Sequence, residues 1–135
     1  MTVLVGYVES PEGRAALDRG LEEARLRDLP IEIVHAARAG LRTDPTEQIV
    51  EYKTKMEQLD EWLQKEGIEG RARQEIRPSE PADALLEVAN EIPASLIVIG
   101  IRRRSPVGKL VMGSWAQHVL LGADCPVLAI KAHSR

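Results

Sequence analysis

The sequence predicts an α/β fold, a three-layer, doubly wound sandwich around a five-stranded, mainly parallel sheet. Three observations carry this expectation. Short apolar or β-branched runs alternate with longer segments of helical periodicity along the whole chain. The strongest runs, "TVLVGYV" near the start and "SLIVIG" at 95–100, are almost wholly apolar, as strands buried on both faces of a parallel sheet must be. The segments between them open on capping residues or prolines and close on glycines or turn residues.

The first strand, 2–8, leads into "ESPEGRAALDRGLEEARLRD", where Ser10 is a candidate N-cap and Pro11 occupies the first helical position. Apolar or small residues recur at Ala16, Leu17, Gly20, Leu21 and Ala24, which makes this helix amphipathic. "IEIVHAA" is a second strand, followed by a loop through Gly40 to Asp44. Asp44, Pro45 and Glu47 form a capping-box arrangement at the start of a long helix, whose stripe of Ile49, Tyr52, Met56, Leu59 and Leu63 ends at Gly67. "RARQEIR" is polar for a strand and suits a sheet edge. Pro78 and Pro81 introduce a third helix, "PADALLEVANEI"; the strand "SLIVIG", a helix from about Trp115 and a last strand, "PVLAIKA", complete the alternation.

A chain of 135 residues is expected to form one domain, 1–135, with a core large enough to need no disulfide or metal. The single cysteine, Cys125, rules out an intrachain disulfide and a Cys-rich zinc site, and it reads as a small buried hydrophobe. No apolar run reaches membrane-spanning length and the start carries no basic leader, so a soluble, cytoplasmic protein is expected, with no membrane partner. A net charge of -3 argues against broad nucleic-acid binding, and the absence of Phe leaves no stacking platform for single strands.

The candidate site lies in "LIVIGIRRRSPVGKLVMGS". In a doubly wound sheet, ligands bind outside the carboxyl ends of the strands where the strand order reverses. If strand one lies beside strand four, the loops after Val8 and Gly100 face each other. Gly100, Gly108, and Gly113 with Ser114 at a helix start then allow close backbone approach and present N–H groups to an anion. Arg102, Arg103 or Arg104 would add a two-pronged contact and Lys109 a point charge, the pattern expected for a phosphate. The plainer reading is a simple helix cap beside a solvated charge run, with one or two of the arginines facing solvent or an interface.

These residues, followed by "AQHVLLGADCPVLAIK", resemble the universal stress protein family. The family's fourth-strand loop carries Gly-x-x-Gly, nine residues, then Gly-Ser or Gly-Thr. Gly100 matches its first glycine, and Gly113 with Ser114 its final pair. The resemblance extends over essentially the whole chain. It implies an adenine nucleotide alpha hydrolase-like fold, a homodimer through the C-terminal strand and, in one branch of the family, ATP binding. The implied nucleotide-binding positions are Val8, Ala36, Gly100, Arg102, Arg103, Gly108, Lys109, Gly113 and Ser114. Two departures stand out: Arg103 replaces the second glycine, and Val8 replaces an aspartate that contacts adenosine. Ser95 also stands where an aspartate is usual. Arg103 either blocks close approach or takes over the phosphate contact from the backbone.

Catalysis has little support. ATP hydrolysis needs a water-orienting group and commonly carboxylates for Mg²⁺; Ser10 is already explained as a cap and Glu9 as a charge near a helix N-terminus. His35, His118 and His133 have no metal-ligand partner at suitable spacing. The leading expectation is a regulatory protein that binds an adenine nucleotide. The alternatives are a dimeric interaction protein whose arginine cluster meets a protein partner, favoured by Val8 and Arg103, and a slow ATPase.

Overall fold

The computed structural model describes residues 1–38, 46–102 and 112–132, with 46–49 described as backbone alone. Its elements are β1 (Thr2–Gly6), α1 (Pro11–Arg27), β2 (Ile31–Arg38), α2 (Thr46–Glu66), β3 (Gly70–Arg77), α3 (Pro81–Glu91), β4 (Ala94–Ile101), α4 (Ser114–Gly122) and β5 (Val127–Lys131). The strands form one five-stranded sheet in the order β3-β2-β1-β4-β5, and every neighbouring pair is parallel. From β1 the chain winds outward to β2 and β3 on one side, then returns to place β4 and β5 on the other. The order therefore reverses at the β1/β4 boundary, where Val5 pairs with Val98 and Gly6 with Ile99.

Side chains alternate along each strand, so the apolar strands feed two cores. On one face Val3, Val5, Ile33 and Val98 pack with Leu17 and Leu21 of α1 and with Met56, Leu59 and Leu63 of α2. On the other, Leu4, Val34, Ile97 and Ile99 pack with Leu85 and Val88 of α3 and Val119 of α4. Leu63 and Ile97 are fully buried, and each such side chain contributes about 1.5–3 kcal/mol of transfer free energy. The predicted stripe of α1 is buried throughout: Ala16, Leu17, Gly20, Leu21 and Ala24 all face the sheet.

Helix ends follow the local chemistry. Ser10 Oγ accepts the Gly13 N–H at 3.0 Å, and Pro11 begins α1. α2 stops at Gly67, whose φ of 70° is the left-handed conformation glycine adopts most readily. Asp28 ends α1 in the same conformation, φ 54°, which the sequence reading did not foresee. Gly40, Asp44 and Pro45, assigned above to a loop and cap, lie outside the described residues.

β3 is an edge strand, as its polarity predicts, and its charges are paired. Arg71 and Arg73 both bond Glu32, while Arg77 bonds Glu75, Glu87 and Glu91. A row of charged side chains discourages pairing with another chain's edge. At the opposite edge, Val127, Leu128, Ala129 and Ile130 of β5 are only partly buried, and Leu121 of α4 is 84% exposed. Among the described residues no helix is long and apolar enough to cross a membrane.

Most boundaries fall within a residue or two of the sequence reading, and the one that bears on the site is the end of β1. β1 ends at Gly6 rather than Val8: the Tyr7 N–H still reaches the Val34 carbonyl at 2.8 Å, but Val8 has turned out of the sheet and is 41% exposed. The apolar run continues past the strand because Tyr7 is buried beneath the loop and Val8 lines a crevice.

Candidate functional site

The loop from Tyr7 to Ser10 forms one lip of that crevice, and a closed set of contacts holds it. Tyr7, 1% exposed, donates its hydroxyl proton to Glu9 Oε2 at 2.6 Å. The Glu9 N–H in turn donates to the Tyr52 hydroxyl at 3.1 Å. The Tyr52 ring stacks on His35, with centroids 3.4 Å apart and planes within 2°. His35 closes the circuit by donating Nδ1–H to the Tyr7 carbonyl at 2.9 Å. Lys55 approaches Glu9 to 3.8 Å. Burial, then the Glu9 hydrogen bond, push the Tyr7 phenol well above its usual pKa, so it remains a donor. Burial pulls His35 below the ordinary imidazole value, against the raising effect of its bond to Tyr7. Glu9 is thus an anchor between β1 and α2 rather than a charge complementing a helix dipole.

Two adjoining cavities open at the carboxyl ends of the strands. The first, about 290 Å³, lies between the ends of β1 and β2 and the start of α3, and its walls include Val8, Val34, Ala36, Pro81 and Leu85. The second, about 170 Å³, lies across the β1/β4 boundary, lined by Ser10, Glu12, Gly100, Arg102 and Gly113 among others. Val8 and Trp115 border both. α4 starts at this second cavity: Gly113 is its N-cap, and among the described residues no side chain makes the capping bond. Among the described residues, a Cβ placed on Gly113 would meet no atom within 4 Å.

The fold therefore brings Val8, Ala36, Gly100, Arg102 and Gly113 together around one crevice. Ser114 opens α4 and is exposed, beside the cavities rather than in their walls. Arg103, Gly108 and Lys109, like Arg104, lie outside the described residues. Gly100 has a second duty: a Cβ there would stand 2.2 Å from the Glu12 carbonyl oxygen, so the first turn of α1 requires glycine on β4. Ser95 bonds the Thr2 carbonyl at 3.4 Å, which ties β4 to β1 far from the crevice. Cys125 is only half-buried, in contrast to the sequence reading, because it sits before an edge strand and beside a shallow cavity between α3 and α4.

Sequence reasoning missed Trp115, Tyr7 and Tyr52. A tryptophan immediately after the Gly-Ser pair was the available signal for the first. The circuit joining Tyr7, Glu9, Tyr52 and His35 depends on residues far apart in the chain and had none. His118 pairs with Asp83 at 2.7 Å between α4 and α3, away from the crevice walls. Among the described residues no group of three His, Cys, Asp or Glu side chains could hold a metal ion.

A parallel, doubly wound sheet with an open helix N-terminus at its switch point defines an α/β protein of the adenine nucleotide alpha hydrolase-like fold. The chain belongs to the universal stress protein family, whose sequence pattern matches residues 1–131. A universal stress protein of Mycolicibacterium smegmatis is 37% identical over 131 residues, 97% of this chain and 98% of the relative. The structure of a universal stress protein from Archaeoglobus fulgidus superposes with a TM-score of 0.83 at 41% identity, covering 96% of this chain and 97% of that one. A second structure from Archaeoglobus fulgidus, a universal stress protein in complex with dAMP, gives a TM-score of 0.76 at 35% identity and 96% coverage of each chain.

Proposed function

We propose that this chain is a regulatory protein that binds an adenine nucleotide, ATP in the leading case, in the crevice at the β1/β4 boundary. The observation that carries the reading is the pair of adjoining cavities, one apolar and suited to a base and sugar, the other open to the N-terminus of α4. The first-turn N–H groups of a helix carry partial positive charge and accept a phosphate without further residues. Arg102 adds a cation at the same cavity. The dAMP complex of the 35% identical relative supports the ligand class. The proposed cycle assigns no hydrolytic step to the described residues; occupancy itself is the signal.

The protein is purified without added nucleotide, denatured to identify any released small molecule, stripped, and titrated with ATP by calorimetry. Released AMP, ADP or ATP, or binding on the order of micromolar, about -8 kcal/mol, is the expected result. Gly113→Val is expected to abolish binding, because the branched side chain would fill the space before α4. It should change stability by no more than about 1 kcal/mol, the scale of an N-cap exchange. An empty protein with no heat of binding, or a Gly113→Val variant that binds as tightly as the parent, would overturn the site.

A further inference from the structure

We propose that the indole of Trp115 is the wall against which the base of a bound nucleotide stacks, making Trp115 the determinant of base preference; this rests on the nucleotide reading above. Trp115 is the second residue of α4, directly after the Ser114 that follows the N-cap. A phosphate at the helix N-terminus thereby lies next to the residue that also borders the apolar cavity. Its side chain reaches both cavities.

The ring is held firmly. Its Cη2 atom extends down to the sheet, 3.2 Å from where a Cβ on Gly6 would stand, alongside Leu85 and Ile99. Leu85 Cδ2 at 2.8 Å and the indole at 3.2 Å together account for a glycine at the end of this fully buried, apolar strand. With the inner end wedged, the half-buried indole presents its remaining surface to the cavities with little rotamer freedom left to lose on binding.

Among the described walls the indole is the largest aromatic surface; Tyr7 and His35 also line the apolar cavity. Val8, Val34, Ala36, Pro81 and Leu85 are aliphatic. Tyr7 is buried with its hydroxyl committed to Glu9, and His35 gives a face to Tyr52. Val8 adds a further aliphatic wall at the junction of the two cavities, while Ser10 and Glu12 line only the second, so contact with the indole is the main difference the apolar cavity offers between bases. Every base can stack on an indole, and the larger purine ring system covers more of it than a pyrimidine does.

The experiment titrates ATP, CTP and inorganic tripolyphosphate into the stripped protein and into Trp115→Leu and Trp115→Phe variants, with folding verified by circular dichroism. The parent is expected to favour ATP over CTP. Trp115→Leu should lose roughly tenfold in ATP affinity, bring ATP and CTP together, and leave tripolyphosphate binding unchanged, whereas Trp115→Phe keeps most of the preference. In a Trp62→Phe background, where Trp115 is the remaining tryptophan, ATP should quench fluorescence and tripolyphosphate should not. Unchanged ATP affinity in Trp115→Leu, or an equal loss of ATP and tripolyphosphate binding, overturns the base wall while leaving the nucleotide site in place. A parent protein that binds neither ATP nor tripolyphosphate overturns both.

Discussion

His35 and Gly113 show how much a single residue's meaning depends on what lies beside it. His35 reads as an isolated histidine near a strand end, yet one face of its ring stacks on Tyr52 and its Nδ1–H is held by the Tyr7 carbonyl. Burial favours the neutral imidazole, so the folded state binds a proton less readily than the unfolded chain. Stability must then fall as pH is lowered through the unfolded value of about 6.5 and on to the depressed folded value. Thermal melts between pH 7.5 and 5.5 are expected to drop more steeply for the parent than for His35→Gln; parallel slopes would refute this. Gly113 is the opposite case. Its φ of -68° is open to any residue, and its Cβ direction meets no described atom within 4 Å, so nothing among the described residues demands glycine there. What demands it under the proposed function is the ligand.

At the scale of elements, the site depends on how α1, α4 and the β1–α1 loop meet the sheet. The first turn of α1 lies directly on β4 at Gly100, and the two glycines of the fourth-strand motif consequently do different work. Gly100→Ala is expected to destabilise the protein by about 1–3 kcal/mol, the usual cost of overpacking, because the methyl group would collide with backbone that cannot rotate away. Urea unfolding measures this directly, and an unchanged midpoint would mean that α1 can shift outward at no cost. The sequence reading placed every strand and helix near its observed position, since caps, prolines and apolar periodicity are local signals. It extended β1 to Val8 because burial of Tyr7 and the crevice-lining role of Val8 look, in one dimension, like more strand.

The whole molecule has two unlike edges. β3 is covered by an arginine and glutamate ladder, whereas β5 presents partly buried apolar residues next to exposed Leu121. The β5 edge is expected to pair with its copy in a homodimer, since an apolar edge left open is prone to uncontrolled pairing. Sedimentation velocity at micromolar concentration should give the mass of a dimer, and a monomer would dismiss the expectation. α4 joins this edge to the crevice: its first residues meet the second cavity and its last lead into β5.

By itself the sequence determined the α/β class, the alternation of elements, the edge character of β3 and the region of the crevice. Each follows from short-range chemistry: capping, hydrophobic period, and glycines placed where a helix begins. Only the tertiary structure decided that Gly100 serves α1, that Glu9 is an anchor, and that Trp115 stands over Gly6 between two cavities. Those are contacts between β1, β4, α1, α2 and α4, and a linear pattern records which residues are apolar or flexible but not which distant atoms will occupy the same few ångströms.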